Sequence, residues 1–236
     1  MGTLETVKKE VPPLLPGDKL TRDEFLRRWE MHPEIKLAEL IGGIVYMPSP
    51  VTFEHGDRDN DVGTWICVYR IATPGTDSGQ DATTLLLKDI PQADVNLRIL
   101  PECGGASRIQ GNYLAGPVEL FTEVSRSSAS YDLNQKYDLY ESAGVQEYLA
   151  ILLHEEEIRW HVLVEGHYEI MPPDADGIWR SRVFPGLWLD GAALLRRDMP
   201  QVLAKLQEGI GSPEHEAFVE ELARRRASAA QNRPSE

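Results

Sequence analysis

The sequence predicts a mixed α/β fold in which a mixed β-sheet is flanked by helices. Segments with apolar residues at helical spacing alternate along the chain with short runs rich in β-formers. Their order is helix, hairpin, helix, three strands, helix and then more strands, which is typical of α/β proteins. With 236 residues and 42% apolar content, the chain can bury one ordinary core. We expect a flexible lead-in over residues 1–18, one domain over 19–198, and a helical extension with a tail over 199–236.

The charge balance and the cysteine count exclude several classes of protein. Lys and Arg total 24 against 38 Asp and Glu, a net charge of −14, which disfavours a large nonspecific DNA-binding surface but permits a local cationic channel or a divalent-metal site. Two cysteines without a CxxC pair argue against a disulfide scaffold or structural zinc. The N-terminus lacks the apolar core of a signal peptide, and no run approaches the ~20 apolar residues of a membrane span. We expect a cytoplasmic protein with no membrane association.

The first elements are predicted by a cap, a glycine pair and a helical stripe. Thr21 precedes an acidic turn, a capping-box pattern that opens the helix TRDEFLRRWE. Gly42 and Gly43 join two β-rich runs and predict a hairpin, with Glu39 in its first strand. A second helix is predicted over residues 53–71. Its inward residues are Val62, Trp65, Ile66 and Tyr69.

Two acids and a lysine define the central stretch. After a strand predicted over 81–87, Asp94 opens an alternating apolar run, and Glu123 lies inside the β-rich run 118–124. Lys136 lies on the helix that follows a Ser-rich turn. If the two strands are neighbours, two carboxylates and one ammonium converge at one sheet edge, which outlines a metal-plus-lysine site. Taken alone, such spacing more often belongs to charges that face solvent.

The remaining chain is predicted as a loop, a meander and helices. Residues 101–116, rich in Gly and polar residues, are predicted as a loop, and residues 146–170 as an antiparallel meander at the sheet edge. A strand-like piece follows over 178–188. Helices are predicted over 192–197, over 199–208, and from Pro213 to the Arg224–Arg226 run. Apolar residues of these C-terminal helices could form the seam of a homodimer.

Four sequence segments resemble the bacterial Uma-type endonucleases of the PD-(D/E)XK superfamily, which share the restriction-endonuclease-like fold. The segments are LTRDEFLRRWE, AELIGGIVYMPSP with a downstream histidine, DIPQADV, and EVSRSSASYDLNQKYDLYESAGVQEYL. The last one is the most specific, because an acid in a strand is followed by a Ser-rich turn and then by D-x3-K-x3-Y. The resemblance covers roughly Leu20 to Met171.

The resemblance implies a metal site built on two acids, with a third acid beside them. Asp94 matches the first metal ligand and Glu123 the second, while Glu39 matches an additional acid from the hairpin, which either supports the ligands or binds a second metal ion. Ser125 stands where the superfamily usually has its lysine, and the similar family places that lysine on the following helix, which points to Lys136. The implied cofactor is Mg²⁺ or Mn²⁺.

The resemblance also implies an activity and two accessory residues. His55 occupies a position where the family often has histidine, and Gln135 precedes the lysine and could reach the site. Ala93 replaces the proline expected before the first acid, which changes the surroundings of the acids and leaves the acids in place. The implied function is metal-dependent hydrolysis of phosphodiester bonds in nucleic acid, with DNA as the favoured substrate. The alternative is a catalytically inactive module of the same fold that serves in binding or protein interaction.

Overall fold

The computed structural model describes residues 11–47, 52–125 and 132–231, except for the side chains of residues 132 and 133. The helices in these ranges are α1 (Arg22–Met31), α2 (Phe53–Ala72), α3 (Tyr137–Ala143), α4 (Gly191–Leu195), α5 (Met199–Ile210) and α6 (Pro213–Gln231). The strands are β1 (Glu39–Ile41), β2 (Ile44–Tyr46), β3 (Thr76–Leu85), β4 (Gln92–Ile99), β5 (Arg108–Gln110), β6 (Tyr113–Ala115), β7 (Leu120–Ser125), β8 (Glu147–Leu152), β9 (Glu157–Val164), β10 (His167–Met171), β11 (Ile178–Arg180) and β12 (Trp188–Asp190).

The main sheet has eight strands in the order β10-β9-β8-β7-β4-β3-β6-β5. Strand β7 pairs parallel with β8, and β3 pairs parallel with β6, whereas the other neighbouring strands are antiparallel. The predicted mixed α/β fold is confirmed, and the predicted meander is the edge β8-β9-β10. Strands β4 and β7 are central, so their side chains are covered on both faces by other elements.

Helices cover the two faces of this sheet. On one face, α2 buries its predicted inward residues Val62, Trp65, Ile66 and Tyr69 against strand residues such as Val95, Leu97 and Val124. On the other face, Leu139 and Tyr140 of α3 pack with Phe121 and Tyr148. The central strands are thereby held between two apolar layers, which fixes the positions of the polar side chains they carry.

The C-terminal helices pack on the same core as α2. Val202 and Leu206 of α5 and Leu222 of α6 are buried in the α2-side cluster. The ring of His215 lies 2.9 Å from the Thr73 hydroxyl at the end of α2, which ties α6 to that helix. Among the helices in the described ranges, none has the length and apolar character needed to cross a membrane.

The structure differs from the sequence predictions at several boundaries. Strand β3 begins at Thr76, ahead of the predicted strand over 81–87. The polar stretch 76–80 has no apolar pattern that would predict a strand, and it is extended because its backbone pairs with β4. The loop predicted over 101–116 contains the short hairpin β5-β6, and the predicted strand 178–188 is a separate pair, β11 and β12. Helix α6 continues past its arginine run, where Arg224 and Arg225 stabilise the helix by pairing with Glu220 and Glu221 one turn earlier.

Some sequence predictions fall on residues outside the described ranges. They are the first part of the lead-in (1–10), the end of the hairpin (48–51), the Ser-rich turn (126–131) and the tail (232–236). Leu14, within the predicted lead-in, is buried against the cluster that contains Phe25 and Val45. The first helix is capped as predicted, since the Thr21 hydroxyl accepts a hydrogen bond from the Glu24 amide.

Candidate active site

The register between β4 and β7 brings Asp94 next to Glu123. Val95 pairs with Thr122 in this antiparallel ladder, so Asp94, which precedes Val95, lies opposite Glu123, which follows Thr122. The Val124 amide donates a 2.6 Å hydrogen bond to Oδ2 of Asp94. The two acids singled out in the sequence therefore lie side by side at one position of the central sheet.

Lys136 lies among the carboxylates. Its Nζ is 3.0 and 3.1 Å from the two carboxylate oxygens of Glu123, 3.1 Å from Oε1 of Glu39, and 3.1 Å from the Gln92 carbonyl oxygen. The lysine side chain is only 4% exposed. Residues 132–136 form a π-type turn ahead of α3, a local widening that often occurs at functional sites.

The hairpin β1-β2 supplies Glu39. Leu40 and Ile90 exchange two backbone hydrogen bonds, of 3.1 and 2.8 Å, which dock the hairpin against the segment that enters β4. The Gln92 amide then donates a 2.6 Å hydrogen bond to Oε1 of Glu39. Glu39 is thus held at the start of β4, and the same oxygen faces the lysine.

Tyr140 also contacts the site, although the sequence analysis did not predict it as a site residue. It is the tyrosine of the D-x3-K-x3-Y motif and lies one helical turn after Lys136. Its hydroxyl donates a 2.8 Å hydrogen bond to Oε1 of Glu123. Burial and the adjacent Glu123 carboxylate raise the pKa of Tyr140 well above its ordinary value, so the phenol stays neutral and acts as a donor. The i, i+4 spacing of Lys136 and Tyr140 was the signal that could have identified it.

The first turns of α2 supply two more groups near Asp94. Nε2 of His55 lies 3.1 Å from Oδ2 of Asp59, one helical turn further on. One ligand atom each from His55, Asp59 and Asp94 can be chosen so that all three lie within 4.8 Å of one another. His55 was predicted from the sequence and Asp59 was not. The i, i+4 spacing of the two residues in HGDRD indicates that they share one face of a helix, and this spacing could have identified Asp59.

Burial and a neighbouring carboxylate change the pKa of Asp94. Burial and the negative charge of Asp59 raise the pKa of Asp94 to about 7, although Lys136, the Val124 amide and His55 act in the opposite direction. A raised pKa of this kind is frequent in sites that bind cations or move protons.

Asp81 adds a further acid at the same level of the sheet. The pairs Gln80–Val95 and Ala82–Ala93 flank Asp81 and Asp94 in the β3-β4 ladder. Asp81 has a left-handed backbone with φ 49°, a conformation that Asp tolerates better than most residues. Burial and Asp59 raise the pKa of Asp81 as well.

Gln135 lies elsewhere. Its side-chain oxygen accepts a 3.3 Å hydrogen bond from the Tyr46 hydroxyl. It lines an open groove of about 840 Å³ together with Thr21, Lys88 and Leu139, and Asp94, Glu123 and Lys136 do not line this groove. The structure therefore brings together five of the sequence-predicted site residues (Asp94, Glu123, Lys136, Glu39 and His55) and places the sixth, Gln135, on a neighbouring surface.

The residues present fit a divalent cation. Oδ1 of Asp59 is buried and has no hydrogen-bond partner among the described residues, a situation that a bound cation or an ordered water relieves. Carboxylate oxygens are the ligands that Mg²⁺ and Mn²⁺ prefer, and imidazole is compatible with Mn²⁺. The neighbouring ammonium of Lys136 adds a group that can hydrogen-bond to a phosphate oxygen or to water.

Comparisons with known proteins agree with the fold. A crystal structure of a protein from Anabaena variabilis, titled a “putative nuclease belonging to DUF820”, superposes with a TM-score of 0.56 at 14% sequence identity. The match covers 79% of this chain and 99% of that one, and at this identity it shows a shared fold. No curated protein matches the chain. The family model of Uma2, described as “Putative restriction endonuclease”, matches residues 22–192, which is most of the sequence. The chain therefore belongs to the Uma2 family.

Proposed function

We propose that the protein is a metal-dependent endonuclease that hydrolyses phosphodiester bonds, with DNA as its substrate. The observation that carries this proposal is that the buried ammonium of Lys136 contacts Glu123, which lies opposite Asp94 on the adjacent strand. In such an arrangement the two carboxylates can bind a cation while the lysine hydrogen-bonds to a phosphate. Membership of a family described as restriction endonucleases supports DNA as the substrate.

The cation is assigned to the carboxylates. Asp94, Glu123 and Glu39 would hold Mg²⁺ or Mn²⁺, with Asp94 offering the oxygen that does not accept from the Val124 amide. When bound, such an ion supplies neutralisation of charge at the phosphate and acidifies the attacking water. In the present arrangement, Glu123 and Glu39 both form ion pairs with Lys136.

Lys136 has two roles in this proposal. In the arrangement described here, its ammonium offsets the repulsion between Glu123 and Glu39. When a phosphate group enters, Nζ can donate to a phosphoryl oxygen or to the attacking water, where negative charge develops. Glu123 would then be available as a ligand of the cation, and the hydrogen bond from the Tyr140 hydroxyl would keep its carboxylate oriented.

The acidic composition shapes the conditions of the test. A net charge of −14 repels a polyanion at long range, so substrate binding should depend on the cation and weaken strongly with salt. Supercoiled plasmid at low ionic strength, with Mn²⁺ or Mg²⁺, is therefore the first substrate to use. Short single-stranded DNA and RNA follow in the same buffers.

The experiment compares wild type with Asp94→Asn and Lys136→Met. Lys205→Met is a matched control because that lysine pairs with Glu208 on the exposed surface of α5. We expect nicking by the wild type and the control, and at least a ~100-fold slower rate for the other two, since Asp94→Asn loses a cation ligand and Lys136→Met loses the ammonium that stabilises the reacting phosphate. Circular dichroism confirms that each variant is folded.

Two outcomes would contradict the proposal. Cleavage that survives both site substitutions would place the activity outside this site. Absence of cleavage of all three nucleic acids by the folded wild type with either metal would favour the non-catalytic binding module.

A further inference from the structure

We propose that α2 supplies two ligands of the cation site, His55 and Asp59, which act with Asp94 and make the site prefer Mn²⁺ to Mg²⁺. The inference deepens the proposed function, and it rests on that function for the presence of a divalent cation. It assigns a role to Asp59, which the sequence analysis did not select.

The spacing of the three side chains suits one ion. His55 and Asp59 are four residues apart on α2 and therefore share a face of the helix. Two ligands on opposite sides of an ion, each at about 2.1 Å, are about 4.2 Å apart. The candidate atoms of His55, Asp59 and Asp94 already lie within 4.8 Å of one another, so ordinary side-chain rotations can close the remaining gap.

The hydrogen bonds of Asp59 and Asp94 leave one carboxylate oxygen of each residue available to bind a cation. Oδ2 of Asp59 contacts His55, whereas its Oδ1 is buried without a hydrogen-bond partner in the described part of the chain. Oδ2 of Asp94 accepts from the Val124 amide, which leaves Oδ1 outside that bond. A buried carboxylate oxygen without a donor is unfavourable, and a cation satisfies it directly.

A first cation is less favourable beside Glu123 and Glu39, which can act as ligands only after Lys136 has moved. Both oxygens of Glu123 and one oxygen of Glu39 lie within 3.1 Å of the Lys136 ammonium. Like charges repel, so a dication placed there must first displace the lysine. On the α2 side, the described residues place an imidazole and two carboxylates within 4.8 Å of one another.

The donor set determines the preferred metal. Mg²⁺ favours oxygen ligands and retains much of its hydration, whereas an imidazole nitrogen improves the affinity for transition-metal ions. One nitrogen and two carboxylates therefore favour Mn²⁺, which accepts both ligand types. Because His55 supplies the nitrogen, its removal should reduce the difference between the two metals.

The test measures metal binding without catalysis. The full chain is stripped with chelator and titrated with Mn²⁺, and free Mn²⁺ is followed by electron paramagnetic resonance; Mg²⁺ is measured by competition. Pulsed measurements on the bound Mn²⁺ detect a coordinated imidazole through its ¹⁴N coupling. The variants are Asp59→Asn and His55→Gln, and the control is Asp57→Asn, an acid of the same helix that pairs with Arg197.

We expect Asp59→Asn to weaken Mn²⁺ binding at least ~10-fold, as the loss of a ligand should match or exceed the loss of an outer-shell partner. His55→Gln should abolish the ¹⁴N coupling and narrow the preference for Mn²⁺ over Mg²⁺, while Asp57→Asn should behave as wild type. Unchanged affinity in Asp59→Asn, absence of ¹⁴N coupling in the wild type, or no Mn²⁺ binding at all would overturn the inference. Cleavage with unaltered binding in Asp59→Asn would refute this site alone, whereas Mn²⁺ binding as expected without cleavage would refute the nuclease alone.

Discussion

Replacement of Lys136 with methionine tests the buried ion network at the centre of the site. Methionine keeps much of the length and apolar volume of the side chain but removes the ammonium. The change leaves Glu123, with a side chain 5% exposed, and Glu39, at 13%, without the cation that contacts them. Removal of one partner of a buried ion pair typically lowers the free energy of unfolding by about 3–5 kcal/mol.

The expected melting temperature follows from the size of the chain. For 150–250 residues, each kcal/mol corresponds to roughly 2–4 °C, so Lys136→Met should melt roughly 6–20 °C below the wild type. Adding Glu123→Gln should recover at least half of the loss, because the amide is neutral and its oxygen can still accept from the Tyr140 hydroxyl. The pair of substitutions therefore forms a double-mutant cycle with a large coupling energy.

The assay is urea unfolding followed by circular dichroism at pH 8 with chelator present. Lys205→Met is the control, since a surface pair such as Lys205–Glu208 contributes at most about 1 kcal/mol. A loss below about 1 kcal/mol in Lys136→Met would refute the reasoning. So would a double variant no more stable than the single one, because the cost would then not come from uncompensated charge.

Two further substitutions, at Asp94 and Tyr140, probe the same region, and a third, at Gly105, probes the loop that follows β4. Because the pKa of Asp94 is raised from 3.8 to about 7, the native protein retains a proton that the unfolded chain releases, and stability falls as the pH rises from about 4 through 7. Asp94→Asn should therefore gain stability over wild type, by up to about 4 kcal/mol and more at pH 8 than at pH 5, in urea unfolding with chelator; a pH-independent difference would contradict this. Tyr140→Phe removes the hydrogen bond to Glu123 and should cost about 1–3 kcal/mol in the same assay, and a change below about 0.5 kcal/mol would count against the bond. In Gly105→Ala the new Cβ would lie 1.9 Å from the Ile99 carbonyl oxygen, so thermal melting should show a loss of at least ~2 kcal/mol, and an unchanged melting temperature would contradict the close approach.

Local patterns in the sequence were sufficient for much of the fold. Thr21 predicted the start of α1, the glycine pair predicted the β1-β2 turn, and the four inward residues of α2 are buried as expected. Each of these features depends on contacts between near neighbours in the chain, such as a cap or an i, i+4 stripe. By contrast, the polar start of β3 and the strand β6 depend on pairing partners that are distant in sequence, and local patterns missed them.

The candidate site shows the same division. The sequence by itself, through a family resemblance, predicted that Asp94, Glu123, Glu39 and Lys136 lie together, because residue types in a motif can be recognised without coordinates. Only the tertiary structure decided that the lysine lies between Glu123 and Glu39, and that Asp59 joins His55 and Asp94 while Gln135 does not. Those contacts depend on the β4-β7 register and on where α2 crosses the sheet, and both are set by long-range packing that no local pattern encodes.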